Sequence, residues 1–191
     1  MTHVGVRDAS TQAALLDSGL NVACSPDPAV MAAACFGAHI AVHAERGEPA
    51  RVRARHAHGY VAVQFCAGHG DDAILRLVAD QLARLAADAG LGLVLFRAGA
   101  APWHDDLEVY RRLCALSPKL DATLFESLHL WDICALLANA AAYCGESLHG
   151  RIVAEAFGVP AVSLVDDDAF GPPGKTVAYA RTWAPPGMAR L

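Results

Sequence analysis

The chain has 191 residues, of which 54% are hydrophobic and 18% charged, so it is neither disordered nor fibrous and can form a sizeable core. A formal charge of −5 and a pI of about 5.9 argue against binding to nucleic acid or to anionic membranes. No apolar stretch reaches the roughly 18 residues of a membrane span, and no signal-peptide pattern follows Met1. We therefore expect a cytoplasmic protein without a membrane span.

The first part of the chain carries short, mixed signals. We predict a strand end at residues 3–7, a helix that Ser10 or Thr11 caps and Gly19 ends, a strand at residues 21–24 and a helix at residues 29–36. Residues 44–58 are polar. Arginines alternate at Arg51, Arg53 and Arg55, which predicts either an edge strand or a linker.

From Gly59 onward, apolar runs alternate regularly with amphipathic patterns. Strands are predicted at residues 60–66, 93–96, 122–125, 141–144 and 161–165, and helices at residues 73–89, 105–116, 128–138, 148–157 and 175–183. This alternation predicts an α/β fold with a mostly parallel sheet and helices on both faces. Ligands bind outside the carboxyl ends of such strands, where three loops stand out: residues 67–72, 97–103 and 145–150.

The strongest local signal is the sequence G-E-S-L-H-G at residues 145–150, between a strand and a helix. Ser147 can cap the helix, and the N–H groups at a helix start favour an anion. His149 in the first turn could bind a phosphate or transfer a proton. A capped helix with a packing histidine explains the same pattern, so the segment alone leaves both interpretations open.

Two enzyme motifs match the sequence only superficially. The segment near Ser147 is close to the G-x-S-x-G of serine hydrolases, but there a histidine follows the serine at a distance, and His149 is the last histidine of this chain. Residues 68–73 match the dinucleotide-binding pattern G-x-G-x-x-A, but the second strand ends at Arg97 where that fold needs an acid. A glycine turn with an acidic helix cap is the favoured interpretation.

Several smaller features have structural interpretations. His39 and His43 have the spacing of one helix face and could bind a metal, but no third ligand is evident, and we predict surface histidines. Residues 103–106 are typical of a capped helix start, and residues 166–168 of a solvated acidic loop. The six cysteines form no C-x-x-C pair, which predicts small buried residues without disulfides or zinc: Cys24, Cys35, Cys66, Cys114, Cys134 and Cys144.

The stretch from Gly59 to about Val165 resembles the C-terminal half of the polysaccharide pyruvyl transferase family. The family's hallmark is a strand, S-[LF]-H-G or R-L-H-G, a helix, G-x-P and an apolar strand. These motifs stand here as Ser147-Leu148-His149-Gly150 and Gly158-Val159-Pro160. The N-terminal residues also fit the family's R-D-x-x-S-x-x-x-L-x-x-x-G and D-P segments, with Arg7-Asp8, Thr11, Leu15, Gly19 and Asp27-Pro28.

The resemblance implies a two-domain fold like that of GT-B glycosyltransferases. Residues 1–57 would be the remnant of the end of an N-terminal domain plus a linker, and residues 58–191 a Rossmann-like donor-binding domain with a C-terminal tail. The missing N-terminal half would be supplied by another chain, or the protein would be a homodimer. The implied reaction transfers a pyruvyl group from phosphoenolpyruvate to two hydroxyls of a saccharide as a ketal, in exopolysaccharide biosynthesis.

The resemblance also implies the site residues. His149 would be the catalytic residue, as general acid or phosphate ligand, and the donor would bind at Ser147, Leu148 and Gly150. An arginine is expected for the charges of the donor, but the first strand of the C-terminal half ends in Q-F-C at residues 64–66 and carries none. The substitutes are Arg7, Arg97 and Arg151, and Lys175 matches a lysine that often follows the last strand.

Three functions follow from these observations. The first is a pyruvyl transferase, or its donor-binding part, which needs no cofactor or metal. The second is a GT-B glycosyltransferase domain with a nucleotide-sugar donor, because the same helix start can hold a diphosphate. The third is a non-catalytic ligand-binding relic, which the absent arginine favours.

Overall fold

The computed structural model describes residues 4–101, 104–164 and 174–183. The strands are β1 Gly5–Val6, β2 Ala23–Cys24, β3 Tyr60–Gln64, β4 Gly92–Phe96, β5 Ala122–Phe125, β6 Ala142–Gly145 and β7 Ala161–Ser163. The α-helices are α1 Ala9–Asp17, α2 Ala32–Ala44, α3 Gly47–Arg55, α4 Asp72–Ala89, α5 Leu107–Leu116, α6 Leu130–Ala138, α7 Leu148–Ala156 and α8 Lys175–Trp183. Short 3₁₀ helices lie at Pro28–Met31 and Ala67–His69.

Five parallel strands form the main sheet in the order β5-β4-β3-β6-β7. The first of these strands along the chain, β3, is therefore central, and the chain winds outward first on one side and then on the other. The direction of winding reverses between β3 and β6, which makes their carboxyl ends the topological switch point of the sheet. The predicted α/β fold with a parallel sheet is confirmed.

The core lies in two layers, one on each face of the sheet. Alternate side chains of β3 separate, so that Tyr60 and Ala62 face a layer with α6 and α7, whereas Val61 and Val63 face a layer with α4 and α5. Every residue of β3 is buried, which explains why this strand is an almost continuous apolar run in the sequence. The helices cover both faces, as predicted.

The N-terminal segment packs against this domain through α2, α3 and the first 3₁₀ helix, Pro28–Met31. Strands β1 and β2 form a separate parallel pair, connected by α1. Ile40 and Ala44 of α2 pack with Cys134 and Ala135 of α6 in one buried cluster. Helix α8 returns to the start of the chain, where the Trp183 indole N–H donates to the Arg7 carbonyl at 2.8 Å. The division into two domains at residue 57 remains a prediction.

Three predictions for the N-terminal segment are wrong. Residues 47–55 form α3 and not an edge strand, with Pro49 and Val52, three residues apart, both buried. The linker at residues 44–58 remains a prediction. The residue that caps α1 is Asp8, whose carboxylate accepts the Thr11 N–H at 2.8 Å, and not Ser10 or Thr11. The helix predicted at residues 29–36 is a 3₁₀ turn followed by α2, which continues to residue 44.

The histidines and cysteines differ in part from prediction. His39 is exposed as predicted, but His43 is only 5% exposed, because α6 packs over it. All six cysteines are free, but only Cys134 is buried as predicted. Cys35 is exposed, and the other four are partly exposed: Cys24, Cys66, Cys114 and Cys144. Trp103 and the acidic residues 166–168 lie outside the described residues.

Candidate functional site

The S-L-H-G segment forms the start of α7. Strand β6 ends at Gly145, and Ser147 is the N-cap, because its hydroxyl accepts the Gly150 N–H at 3.1 Å. Leu148 is buried and packs with Ile152 of the same helix and Tyr179 of α8. The next side chain, His149, is 66% exposed. The local pattern therefore anchors the helix start and leaves the imidazole accessible.

The two glycines of this segment allow close contact with Tyr143 of β6. A Cβ atom at Gly150 would lie 2.9 Å from the Tyr143 hydroxyl, and one at Gly145 would lie 2.6 Å from the Gln64 carbonyl oxygen. The Tyr143 hydroxyl donates to the Ser147 carbonyl at 3.0 Å. The glycines are thus needed for packing, and Tyr143 holds the turn between β6 and α7.

The switch point between β3 and β6 is occupied by the chain's own polar groups. The side-chain oxygen of Gln64, which is 1% exposed, accepts N–H groups from Ser147 at 2.7 Å and from Glu146 at 3.2 Å. The Glu146 carboxylate in turn accepts the Cys66 N–H at 2.8 Å. Gln64 thus stands where the resemblance implies an arginine, and it binds protein backbone.

Arg7, Asp27 and His149 meet where the N-terminal segment contacts α7. Arg7 follows β1, and its guanidinium donates to the Asp27 carboxylate at 3.0 Å. Asp27 caps the first 3₁₀ helix by accepting the Ala29 N–H at 3.0 Å. The same carboxylate oxygen that binds Arg7 lies 3.4 Å from Nε2 of His149. One carboxylate therefore lies between a fixed cation and an ionisable imidazole.

The pKa of Asp27 is lower than usual for an aspartate. Burial raises this pKa, but the hydrogen bonds from the Ala29 N–H and Arg7, with the charges of His149 and Arg7, outweigh the burial and lower it. The carboxylate is therefore ionised at neutral pH. It can orient the His149 ring.

A groove of about 730 Å³ lies beside this group, at the carboxyl ends of β1 and β2. Arg7 and Lys175 line it from opposite ends of the chain, together with Asp8 and Asp27. Thr176 fixes the start of α8 by donating its hydroxyl to the Glu146 carbonyl at 3.1 Å. The groove therefore has two cations near the start of α7, and both of its carboxylates accept hydrogen bonds from the protein.

The predicted site residues do not all come together. His149, Ser147, Leu148 and Gly150 lie at the start of α7, and Arg7 and Lys175 lie at the groove. Arg97 follows β4 instead, and its guanidinium donates to the Glu126 carbonyl beyond β5 at 3.3 Å. Since β3 separates β4 from β6, Arg97 starts about 10 Å from α7, at two strand spacings.

The third arginine is used inside the protein. Arg151 is buried, and it donates to the Ser163 hydroxyl at 2.7 Å and pairs with Glu155 at 2.8 Å. Of the three substitutes, the structure brings Arg7 next to His149.

Sequence reasoning missed Asp27 and Gln64 as members of this site. The Asp27-Pro28 pair reads locally as a turn, and only the resemblance to the D-P segment of a family marks it. Gln64 is a polar residue at the end of an apolar run, which was the one available signal that the strand end has a polar partner.

The described fold and site define a Rossmann-like α/β protein with a histidine at a helix start. The sequence profile of the polysaccharide pyruvyl transferase family matches residues 2–168. The chain therefore belongs to this family. A search of curated proteins found no match.

The fold of the described domain is similar to that of a solved structure. The chain is similar to UDP-GlcNAc 2-epimerase of Methanocaldococcus jannaschii, in complex with UDP-GlcNAc and UDP, with a TM-score of 0.58, 16% identity and coverage of 86% of this chain and 45% of that one. E. coli heptosyltransferase WaaC with ADP-2-deoxy-2-fluoro heptose matches at 0.41, with 21% identity over 62% of this chain and 35% of that one. An UDP-forming trehalose-phosphate synthase of Burkholderia xenovorans matches at 0.44, with 13% identity over 75% and 37%.

The chain spans less than half the length of each of these three proteins. Among the described residues, no helix combines the length and apolar character that crossing a membrane requires.

Proposed function

We propose that this chain carries the donor site of a pyruvyl transferase, which uses phosphoenolpyruvate to form a pyruvyl ketal on a saccharide. The observation that carries the proposal is the Arg7–Asp27–His149 group at the start of α7. Family membership supports the reaction class. The acceptor saccharide, a role in exopolysaccharide biosynthesis, a cytoplasmic location and a partner chain or second copy belong to the same proposal.

Two of the four charged side chains at the groove are cations that can bind a small dianionic donor, and the carboxylates of the other two accept hydrogen bonds from the protein. Phosphoenolpyruvate has a carboxylate and a phosphate, and guanidinium groups bind both. Arg7 and Lys175 supply positive charge at the groove. The first turn of α7 adds N–H groups that have no partner within the helix. The Ser147 hydroxyl accepts one of them, the Gly150 N–H. We therefore assign the phosphate to the start of α7 and the carboxylate to Arg7.

His149 fits the acid that the reaction needs. A proton added to the methylene carbon of phosphoenolpyruvate leaves positive charge on C2, where the first sugar hydroxyl forms a C–O bond and loses its proton. The bond from C2 to the phosphate oxygen then breaks, and the second hydroxyl closes the ketal as inorganic phosphate leaves. His149 either donates the first proton or binds the phosphate, and Asp27 is its positioning residue.

Calorimetric titration with phosphoenolpyruvate tests this proposal. Because the His149 side chain is exposed, His149→Ala should leave the thermal midpoint unchanged and weaken binding about tenfold, the loss of one charge-assisted hydrogen bond. The matched control is His58→Ala, which removes another exposed histidine. Equal affinity of His149→Ala and the parent protein would remove His149 from the site.

A pair of lysine substitutions tests which arginine binds the donor. Arg7→Lys keeps the charge but loses the planar fork, so phosphoenolpyruvate should bind several-fold more weakly. Arg97→Lys should leave the affinity unchanged, because Arg97 follows β4, two strands from β6, and donates to the Glu126 carbonyl. If Arg97→Lys weakens binding and Arg7→Lys does not, the donor site would instead be assigned to the end of β4.

A nucleotide-sugar donor is the second candidate. The similar epimerase structure holds UDP-GlcNAc and UDP, and its fold covers most of this chain. Titration with UDP separates the two functions, since tight UDP binding without phosphoenolpyruvate binding would overturn the pyruvyl proposal. Binding of neither ligand by the folded chain would favour the non-catalytic relic.

A further inference from the structure

Three metal-binding side chains meet on the helices that join the N-terminal segment to the main domain. His43 lies near the end of α2, whereas His129 and Asp132 lie at the start of α6. One donor atom from each of the three lies within 4.8 Å of the others. Because His43 is 89 residues from Asp132 in sequence, the third ligand that the sequence pattern lacked comes from tertiary packing.

We propose that His43, His129 and Asp132 bind a divalent metal ion of the zinc type, which joins α2 to α6. Two imidazoles and one carboxylate form a ligand set typical of zinc and similar transition metals. The fourth position would be taken by water. The site is separate from the Arg7–Asp27–His149 group, and the inference is independent of the proposed function.

Shifts of less than about 1 Å would bring the two nitrogen–oxygen pairs to the spacing of a coordinated ion. Nδ1 of His43 lies 2.7 Å and Nδ1 of His129 lies 3.8 Å from the same carboxylate oxygen of Asp132. Donors of a tetrahedral zinc site are about 3.4 Å apart, given metal–ligand distances near 2.1 Å. The two rings are stacked at 14°, so the His129 side chain must turn, and its exposure of 57% permits this.

The surroundings hold the ligands in place. The second oxygen of Asp132 accepts the Ser127 hydroxyl at 2.8 Å, which is the kind of outer contact that orients a ligating carboxylate. Packing of Ile40 and Ala44 against Cys134 and Ala135 sets the register of the two helices. Two of the three ligands therefore lie within helices, and the third, His129, is the N-cap of α6.

Arg46 competes with the metal for His43 by binding the ring nitrogen that does not face Asp132. Its guanidinium lies 2.7 Å from Nε2 of His43 and can only donate, so Nε2 accepts, and the ring proton is on Nδ1 facing Asp132. A metal on Nε2 would displace Arg46. A metal on Nδ1 would leave the ring proton on Nε2. That N–H would then face the Arg46 guanidinium, which cannot accept a hydrogen bond. In both cases Arg46, an exposed residue, must swing away.

Zinc titration of the tag-free protein, by calorimetry and thermal denaturation, tests the site. We expect one zinc ion per chain and a higher thermal midpoint with zinc. His129→Ala should weaken zinc binding about tenfold or more, and, because this side chain is exposed, the metal-free protein should keep its thermal midpoint. His58→Ala is the control for binding to surface histidines and should leave zinc affinity unchanged.

Arg46→Ala separates a metal site from a purely structural hydrogen-bond network. If Arg46 competes with the ion, this variant should bind zinc several-fold more tightly than the parent. The proposal is overturned if Arg46→Ala binds zinc no better than the parent, or if His129→Ala binds it equally well. Co²⁺, whose visible bands report nitrogen coordination, should show the same order of affinities among the variants.

Discussion

Two places where parallel strands end side by side differ in their side chains: the ends of β3 and β6 in the main sheet, and the ends of β1 and β2 in the N-terminal segment. At the switch point between β3 and β6, Gln64 and Glu146 accept backbone N–H groups from the opposite strand end or loop. At the ends of β1 and β2, a groove of about 730 Å³ is lined by Arg7 and Lys175. The topology is similar at both places, but the first is filled with internal hydrogen bonds and the second is open.

This difference shows that strand order indicates where a ligand site can form, and that the side chains at the strand ends decide whether the space stays open. Gln64 satisfies the N–H groups that precede α7 and thereby fixes the position of the helix start. The fixed start of α7 then presents His149 to Asp27 and Arg7 of the N-terminal segment. The hydrogen-bonded switch point between β3 and β6 therefore supports the Arg7–Asp27–His149 group beside the groove.

The largest effect is expected when this switch point loses its polar side chain. Gln64→Leu removes the acceptor of the Ser147 N–H group, whereas the Glu146 N–H group keeps the Gln64 main-chain carbonyl as acceptor at 3.2 Å. The variant should lower the free energy of unfolding by about 2–3 kcal/mol. Urea denaturation measures this loss. Gln81→Leu makes the same change at an exposed position of α4 and is the control. If Gln64→Leu costs less than 0.5 kcal/mol, about the effect of a neutral surface change, the comparison fails.

The next effect concerns the glycine that supports the open place. Gly150→Ala would bring a Cβ within 2.9 Å of the Tyr143 hydroxyl, and we expect a loss of about 1–2 kcal/mol from overpacking. Gly37 in α2 is the control, since a Cβ there meets no atom within 4 Å, and Gly37→Ala should stabilise the protein by about 0.5–1 kcal/mol. Equal effects at the two glycines would show that Tyr143 does not constrain the turn.

The smallest effect is electrostatic and depends on pH. Since the pKa of Asp27 is lower in the folded protein than its ordinary value of 3.8, its ionised form stabilises the fold above that pH. This stabilisation, about 0.5–1 kcal/mol for a pair with a partly exposed arginine, is lost as the pH falls below 3.8. Asp27→Asn should lack this part of the acid dependence.

Unfolding of both proteins at pH 6 and pH 3 measures that difference. Asp17→Asn removes the same charge from an exposed position of α1 and controls for the change in net charge. An acid dependence that Asp27→Asn leaves as steep as in the parent would contradict the role of Asp27.

Most of the main domain was predictable because its signals are local. Helix α4 starts one residue before the predicted position because Asp71 caps it, and it ends as predicted at Gly90, whose φ of 64° is left-handed. By contrast, the sequence predicted an edge strand or a linker where α3 forms. Only two residues of α3 are buried, Pro49 and Val52, and the contact of α3 with α6 depends on the tertiary structure. The S-L-H-G motif was visible, but its partner Asp27 was not.

The sequence by itself determined the α/β class, the order of the elements and the helix start that carries His149. It did so because hydrophobic periodicity and capping act between residues a few positions apart. The tertiary structure alone decided that Arg7 and not Arg97 meets His149, that Gln64 closes the switch point and that His43 meets Asp132. These contacts join residues far apart in the chain, so they depend on how the helices and strands pack.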